Sequence, residues 1–103
     1  MNKQKIREHF RDVVFKRDGK KCAFCDETKE LDAHHIMDRN YFTNGGYILE
    51  NGITLCQKIH HFQAELYHST NAQDYAIGMH PDDLYKMIGS SFEEAIEADG
   101  KNS

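Results

Sequence analysis

Residues 51–61 read Asn51-Gly52-Ile53-Thr54-Leu55-Cys56-Gln57-Lys58-Ile59-His60-His61. Ile53-Thr54-Leu55 is short and contains β-branched residues, which suits a strand. From about Lys58 to Tyr67 the pattern becomes helical, with Ile59, Phe62 and Leu66 on one apolar face. A cysteine and two histidines therefore fall at a strand-to-helix junction. Upstream, Cys22-Ala23-Phe24-Cys25 forms a tight Cys-x-x-Cys knuckle. Structural zinc takes four sulfur or nitrogen ligands in a tetrahedron, and two such half-sites are its usual source. Cys22, Cys25 and Cys56 with His60 or His61 would complete one. One Cys-x-x-Cys pair alone says little, and Cys56 could be an ordinary buried cysteine. Both halves together, in a chain with no other cysteine, favour the metal reading.

Between the half-sites, Leu31 to Ile36 alternates and predicts a second short strand carrying Asp32, His34 and His35. Neighbours on a strand point to opposite faces, so His34 and His35 share a site only where the strand ends or twists. Residues 37–52 are polar and contain Asn44-Gly45-Gly46, which predicts a long loop with one turn; loops of that length in small domains usually carry function. Residues 3–17 predict a helix with Ile6, Phe10 and Val13 on one face, stopped at Asp18-Gly19. Lys3, Arg7 and Arg11 make a basic stripe on another side, suited to phosphate contacts or to solubility. Pro81, followed by Asp82 and Asp83, opens a helix through Leu84, Met87 and Ile88. Ser91-Phe92-Glu93-Glu94 has capping-box spacing and opens a last short helix. Residues 101–103 are expected to fray, and His9 and His80 have no evident partners.

The chain has 103 residues, 39% of them apolar and none of them Trp, so one domain with a modest core is expected. A core that small benefits from a metal staple. Net charge is −4, which argues against nucleic acid as a partner, but residues 1–21 are strongly basic and residues 43–103 acidic. Nothing resembles a secretory signal peptide, and no apolar run approaches membrane-spanning length. The cytoplasm is the expected compartment and no membrane partner is expected; there, cysteines serve as ligands more readily than as disulfides.

Over residues 7–68, the order of Arg17-Asp18-Gly19, Cys22-x-x-Cys25, Ala33-His34-His35-Ile36, Gly45-Gly46, Asn51-Gly52-Ile53-Thr54-Leu55-Cys56 and the following His-His resembles the HNH endonucleases. The resemblance implies an α+β fold: a small ββα-metal motif at about residues 20–68, braced by a two-knuckle structural Zn²⁺. An N-terminal helix would precede it, with one or two C-terminal helices at about 80–99, all in a single domain, residues 1–103. It implies hydrolysis of DNA phosphodiesters with His35 as the base that activates water. His34 and His61 would hold a catalytic divalent metal (Mg²⁺, Mn²⁺, Ni²⁺ or Zn²⁺). Asn51 would join the catalytic group by holding the loop against the His35 segment and so orienting the base. Lys3, Arg7, Arg11 and Arg17 would meet DNA, while Asp32, Glu65 and His68 could support the metal site or remain surface residues. Short freestanding members are frequent in phages, beside the packaging motor. That implies a bacterial or phage-infected cell and a larger partner such as a packaging terminase.

At the second half-site the chain departs from the family pattern, because Ile59 stands where the fourth zinc ligand belongs. A one-residue insertion, with His60 on zinc and His61 on the catalytic metal, repairs it; the rival has no zinc and His60 on the catalytic metal. Two other functions compete with a nuclease: a catalytically inactive, zinc-braced DNA-binding or adaptor module, and a structural zinc protein acting through its acidic helices.

Overall fold

A computed structural model describes residues 2–101. In chain order it contains α1 (Lys3–Arg17), β1 (Leu31–His35), β2 (Gly52–Cys56), α2 (Phe62–Ser69), α3 (Pro81–Met87) and α4 (Phe92–Lys101). Single 3-10 turns at Arg39–Tyr41 and Leu49–Asn51 punctuate the β1–β2 connection, and a π-helical turn, Gln57–His61, joins β2 to α2. The described residues thus form a small α+β protein with one two-stranded antiparallel sheet and four α-helices. Lys101 still belongs to α4; Asn102 and Ser103 lie outside the described residues. No helix among those described is long and apolar enough to cross a membrane.

The Asn2 side chain caps α1 by accepting from the Lys5 amide at 2.9 Å, and positive φ at Gly19 turns the chain away after it. Phe10 and Val14 are the buried residues of α1, one turn apart, with Ile6 and Val13 only half-buried beside them. They pack on β2 at Gly52, where a Cβ would lie 2.5 Å from Val14 Cγ2 and 2.8 Å from Phe10 Cζ. Only a residue without a side chain lets helix and strand approach this closely. Arg17 and Asp18 fasten the same junction. Arg17 donates to the carbonyls of Leu49 and Gly52 at 2.8 and 2.6 Å, and Asp18 accepts from Thr54 N at 2.8 Å.

The register pairs His34 with Ile53 and His35 with Gly52. Strand alternation therefore sends Ala33, His35 and Thr54 towards α1, and Asp32, His34, Ile53 and Leu55 towards α2 and the core of Ile36, Leu84, Tyr85 and Ala95. The β1–β2 connection is held from inside by Asn51. Its amide exchanges bonds with Met37 N and O at 3.0 and 3.1 Å, donates to Gly46 O at 3.2 Å and accepts from Tyr85 Oη at 2.6 Å. Asp99 on α4, also buried, accepts from the amides of Asn44 and Gly46 at 2.9 and 2.8 Å. The C-terminal helices thus brace the loop that follows β1.

One apolar face turns outward, and one expectation is corrected. The apolar face of the second helix does not face the core: Ile59 is 53% and Phe62 77% exposed, and Ala64 is the buried residue of α2. His60, His61 and Glu65 turn instead to the His/Cys and His/Glu clusters. His80, read as without a partner, caps α3 through Nδ1, which accepts from Asp82 N at 3.0 Å, and packs against Tyr67 and Tyr75. The Ser91 cap is present, with Glu94 N donating to Ser91 Oγ at 3.1 Å.

Burial, reinforced by Asp82, pushes the Tyr85 phenol up. A phenol held protonated stabilises the fold below its unfolded pKa of about 10, and that contribution is lost as pH rises towards the higher folded value. Tyr85→Phe is expected to cost about 1–2 kcal/mol in urea unfolding at neutral pH, through the lost bond to Asn51. It should also flatten the decline in stability above about pH 10 that the parent shows.

Candidate metal centre and adjoining cleft

The π-helical turn decides how the two histidines are shared. Its extra residue leaves Ile59 in solvent, and the roughly 100° step between helical neighbours then sends His60 and His61 to different sides. His60 joins Cys22, Cys25 and Cys56, whose ligand atoms with its own all lie within 4.8 Å of one another. Its Nδ1 is 3.2 Å from Cys56 Sγ and 3.5 Å from Cys22 Sγ, and Cys25 Sγ is 3.8 Å from Cys56 Sγ. A tetrahedral zinc with ordinary bond lengths wants about 3.8 Å between sulfurs and about 3.6 Å from sulfur to nitrogen. The donor set fits a zinc site in chemistry and in spacing. A backbone bond at Glu27 favours the Cys25 thiolate, but desolvation and the neighbouring Cys22 and Cys56 thiols push it up to about 11. Burial opposes ionisation of Cys56, yet His60 bonding brings that thiol down to about 6. A cation bound here would favour the thiolate form of its sulfur ligands. Phe24 stacks on the His60 ring at 5.2 Å and covers the cluster from outside.

On the other side of the turn, His34, His61 and Glu65 form a second cluster within the same 4.8 Å span. His34 is 2% exposed and neither ring nitrogen has a hydrogen-bond partner. Its Nδ1 is 3.3 Å from Glu65 Oε1, outside hydrogen-bond alignment. A buried imidazole with two idle nitrogens beside a carboxylate suits a cation ligand. Burial pushes the His34 ring down, so it is available as the neutral, metal-binding form. Glu65 raises His61, against burial and with help from Asp32. In return His34 and His61 hold Glu65 well below the usual carboxylate range. Asp32, expected only as a supporting residue, contacts His61 Nδ1 at 2.7 Å and accepts from Gln57 Nε2 at 3.1 Å. That contact orients the ring and leaves Nε2 for a ligand or for Glu65, 3.2 Å away. Glu65 thus sits among the candidate ligands, while His68 lies beside them, its ring 5.5 Å from His34.

His35 leaves the strand on the α1 side, yet its ring reaches the same cavity as His34, His61 and Glu65, of about 350 Å³. A larger one of about 790 Å³, lined by Lys3, Arg7, Arg11, Tyr47, His35 and His61 among others, opens beside it. Phe10 and Tyr47 hold the His35 ring at 4.5 and 4.7 Å, the second edge-on. Its Nε2 is buried without a partner. Burial, with His34 adding to it, pushes His35 down to about 4, so the ring is neutral at physiological pH.

One further expectation changes: Arg17 does not join the basic wall, because its guanidinium is engaged by Asp18 and two carbonyls. Asn51 is fully buried and ties Ile36 and Met37, the residues after β1, to the loop, the contact expected of it. Sequence reasoning missed Tyr47, Arg39, Tyr85 and Asp99. Only Tyr47 carried a signal, lying two residues after the paired loop glycines' first member.

No family model, curated protein or solved structure matches the chain.

Elemental analysis is expected to find one zinc per chain in the parent and in His61→Ala, but none in Cys56→Ser or His60→Ala. Loss of that zinc should lower the unfolding midpoint by more than 10 °C, on the order of what a structural metal supplies to a small domain. Zinc retained in His60→Ala but lost in His61→Ala would exchange the two histidines.

Proposed function

We propose that the chain is an HNH-type endonuclease that hydrolyses DNA phosphodiester bonds. The observation that carries this reading is the meeting, in one cavity, of a ligand-competent cluster (His34, His61, Glu65) and a neutral, ring-clamped imidazole (His35). The basic residues Lys3, Arg7 and Arg11 on the adjoining wall suit a polyanion. A catalytic divalent metal held by His34, His61 and Glu65 would supply charge stabilisation for the phosphoryl and leaving oxygens.

His35 accepts a proton from water as the water oxygen forms its bond to phosphorus. The bond from phosphorus to the 3′ oxygen then breaks, and that oxygen takes a proton from solvent. Phe10 and Tyr47 fix the plane of the base, Asp32 fixes the tautomer of His61, and Asn51 fixes the backbone from which His35 projects. The Cys22, Cys25, Cys56 and His60 cluster serves as a structural brace with no part in the reaction. A phage packaging terminase or similar larger protein remains the proposed partner. The acidic balance of residues 43–103 favours the second reading, an inactive zinc-braced binding module.

His35→Ala is expected to lower the rate of supercoiled-plasmid relaxation by about 10²–10⁴-fold in Mg²⁺, Mn²⁺ or Ni²⁺ while zinc content and DNA binding persist. A variant that cuts like the parent removes His35 as the base. DNA binding by the parent without cleavage in any of these metals would favour the module.

A further inference from the structure

Two guanidiniums of the cavity at the His34, His61 and Glu65 cluster have no ion-pair partner among the described residues. Arg7 comes from α1 and Arg39 from the 3-10 turn after β1. Both line that cavity together with Tyr47. Burial opposes ionisation of that phenol, but the bonding reach and charge of Arg7 and Arg39 bring it below its ordinary value. The Tyr47 ring stands edge-on to His35 at 4.7 Å and to Phe10 at 5.8 Å, so its position is fixed independently of the arginines. Gly45 supports the ring from below, where a Cβ would lie 2.7 Å from Tyr47 Cε2.

The three side chains stand where the cavities join. Arg7 and Tyr47 line both the basic cleft and the cavity of the His34, His61 and Glu65 cluster. Arg39 and Tyr47 also line a third cavity, of about 390 Å³, which includes Lys3 but none of those cluster residues. Asp38 and Glu65 also line the cluster cavity, and Glu8 and Asp32 the basic cleft; among the described residues none of these acids makes an ion pair with Arg7 or Arg39. Two guanidiniums and a phenol lining one cavity offer an oxyanion several donors and two positive charges. Arginine's planar fork suits phosphate oxygens, and a phenol polarised by positive charge donates a stronger hydrogen bond.

We propose that Arg7, Arg39 and Tyr47 bind one phosphate of the DNA strand, adjacent to the phosphate that is cleaved. This rests on the nuclease reading for the name of the ligand. All three side chains line the cluster cavity, and Arg39 and Tyr47 continue from it into the third cavity, which neither His35 nor the cluster residues line; a phosphate next to the one at His35 and the cluster meets them there. The clamp therefore fixes the strand on the far side of the base and sets its register across the site.

The test uses the full chain carrying His35→Ala, without added divalent metal, and the fluorescence anisotropy of a labelled duplex oligonucleotide over a range of salt. Arg39→Gln is expected to weaken binding about three- to tenfold and to reduce the slope of log K against log salt by about one. Tyr47→Phe, which keeps the ring against His35, should weaken binding about twofold. The double variant should lose less than the product of the two, because both act on one phosphate. Lys86→Gln, an exposed cation on α3, serves as the charge control. The clamp is overturned if Arg39→Gln changes affinity no more than Lys86→Gln does, or if the Arg39 and Tyr47 effects simply multiply. Failure of the nuclease reading looks different: the parent cuts nothing, while Arg39→Gln still loses binding.

Discussion

A two-stranded sheet of five-residue strands is too small to be stable in water without support, and every feature of this protein depends on how that sheet is held. The cysteine and histidine cluster grips one end, where Leu31 pairs with Cys56. Asn51 grips the other, where His35 pairs with Gly52 and the loop begins. Between these clamps α1 lies on one face, brought close by Gly52, and the hydrophobic core lies on the other. Removing either clamp would free the strand pair to slip, and a slip of one residue exchanges the faces of His34 and His35.

The same alternation creates the chemistry. His34 points into the protein, where burial keeps it neutral and leaves its nitrogens idle beside Glu65. His35 points towards α1, where Phe10 and Tyr47 hold its ring. Both reach one cavity because β1 ends at His35 and the chain turns away, stitched down by Asn51. Two residues adjacent in sequence thereby obtain different environments, one suited to ligation and one to proton transfer. The π-helical turn does the same for His60 and His61, giving one to the cysteines and the other to Asp32 and Glu65.

Much of the secondary structure was legible locally. The helix over residues 3–17 and the two strands follow from periodicity, and Pro81 and Ser91 mark helix starts through local backbone chemistry. The face of α2 was not legible: Ile59 and Phe62 look like core residues by spacing, but the two His/Cys clusters fix the helix rotation and turn them to solvent. Polar braces were equally silent. Nothing near Asp99 or Tyr85 in sequence indicates that they bond to residues 44–51, because those contacts span more than thirty positions of chain. Arg17 misled in the opposite direction, since its charge suggested a partner outside the protein whereas two backbone carbonyls inside it are its partners.

By itself the sequence determined the inventory: three cysteines in two half-sites, paired histidines on a strand and after it, and a glycine-bearing loop between them. These are matters of residue type and short spacing, which local geometry translates directly. Only the tertiary structure decided which histidine joins which cluster, that Glu65 belongs beside His34, and that Tyr47 and Arg39 stand at the cleft. Those outcomes depend on the rotation of one helix and the path of one loop. Both are set by the sum of distant contacts, which no short window of sequence contains.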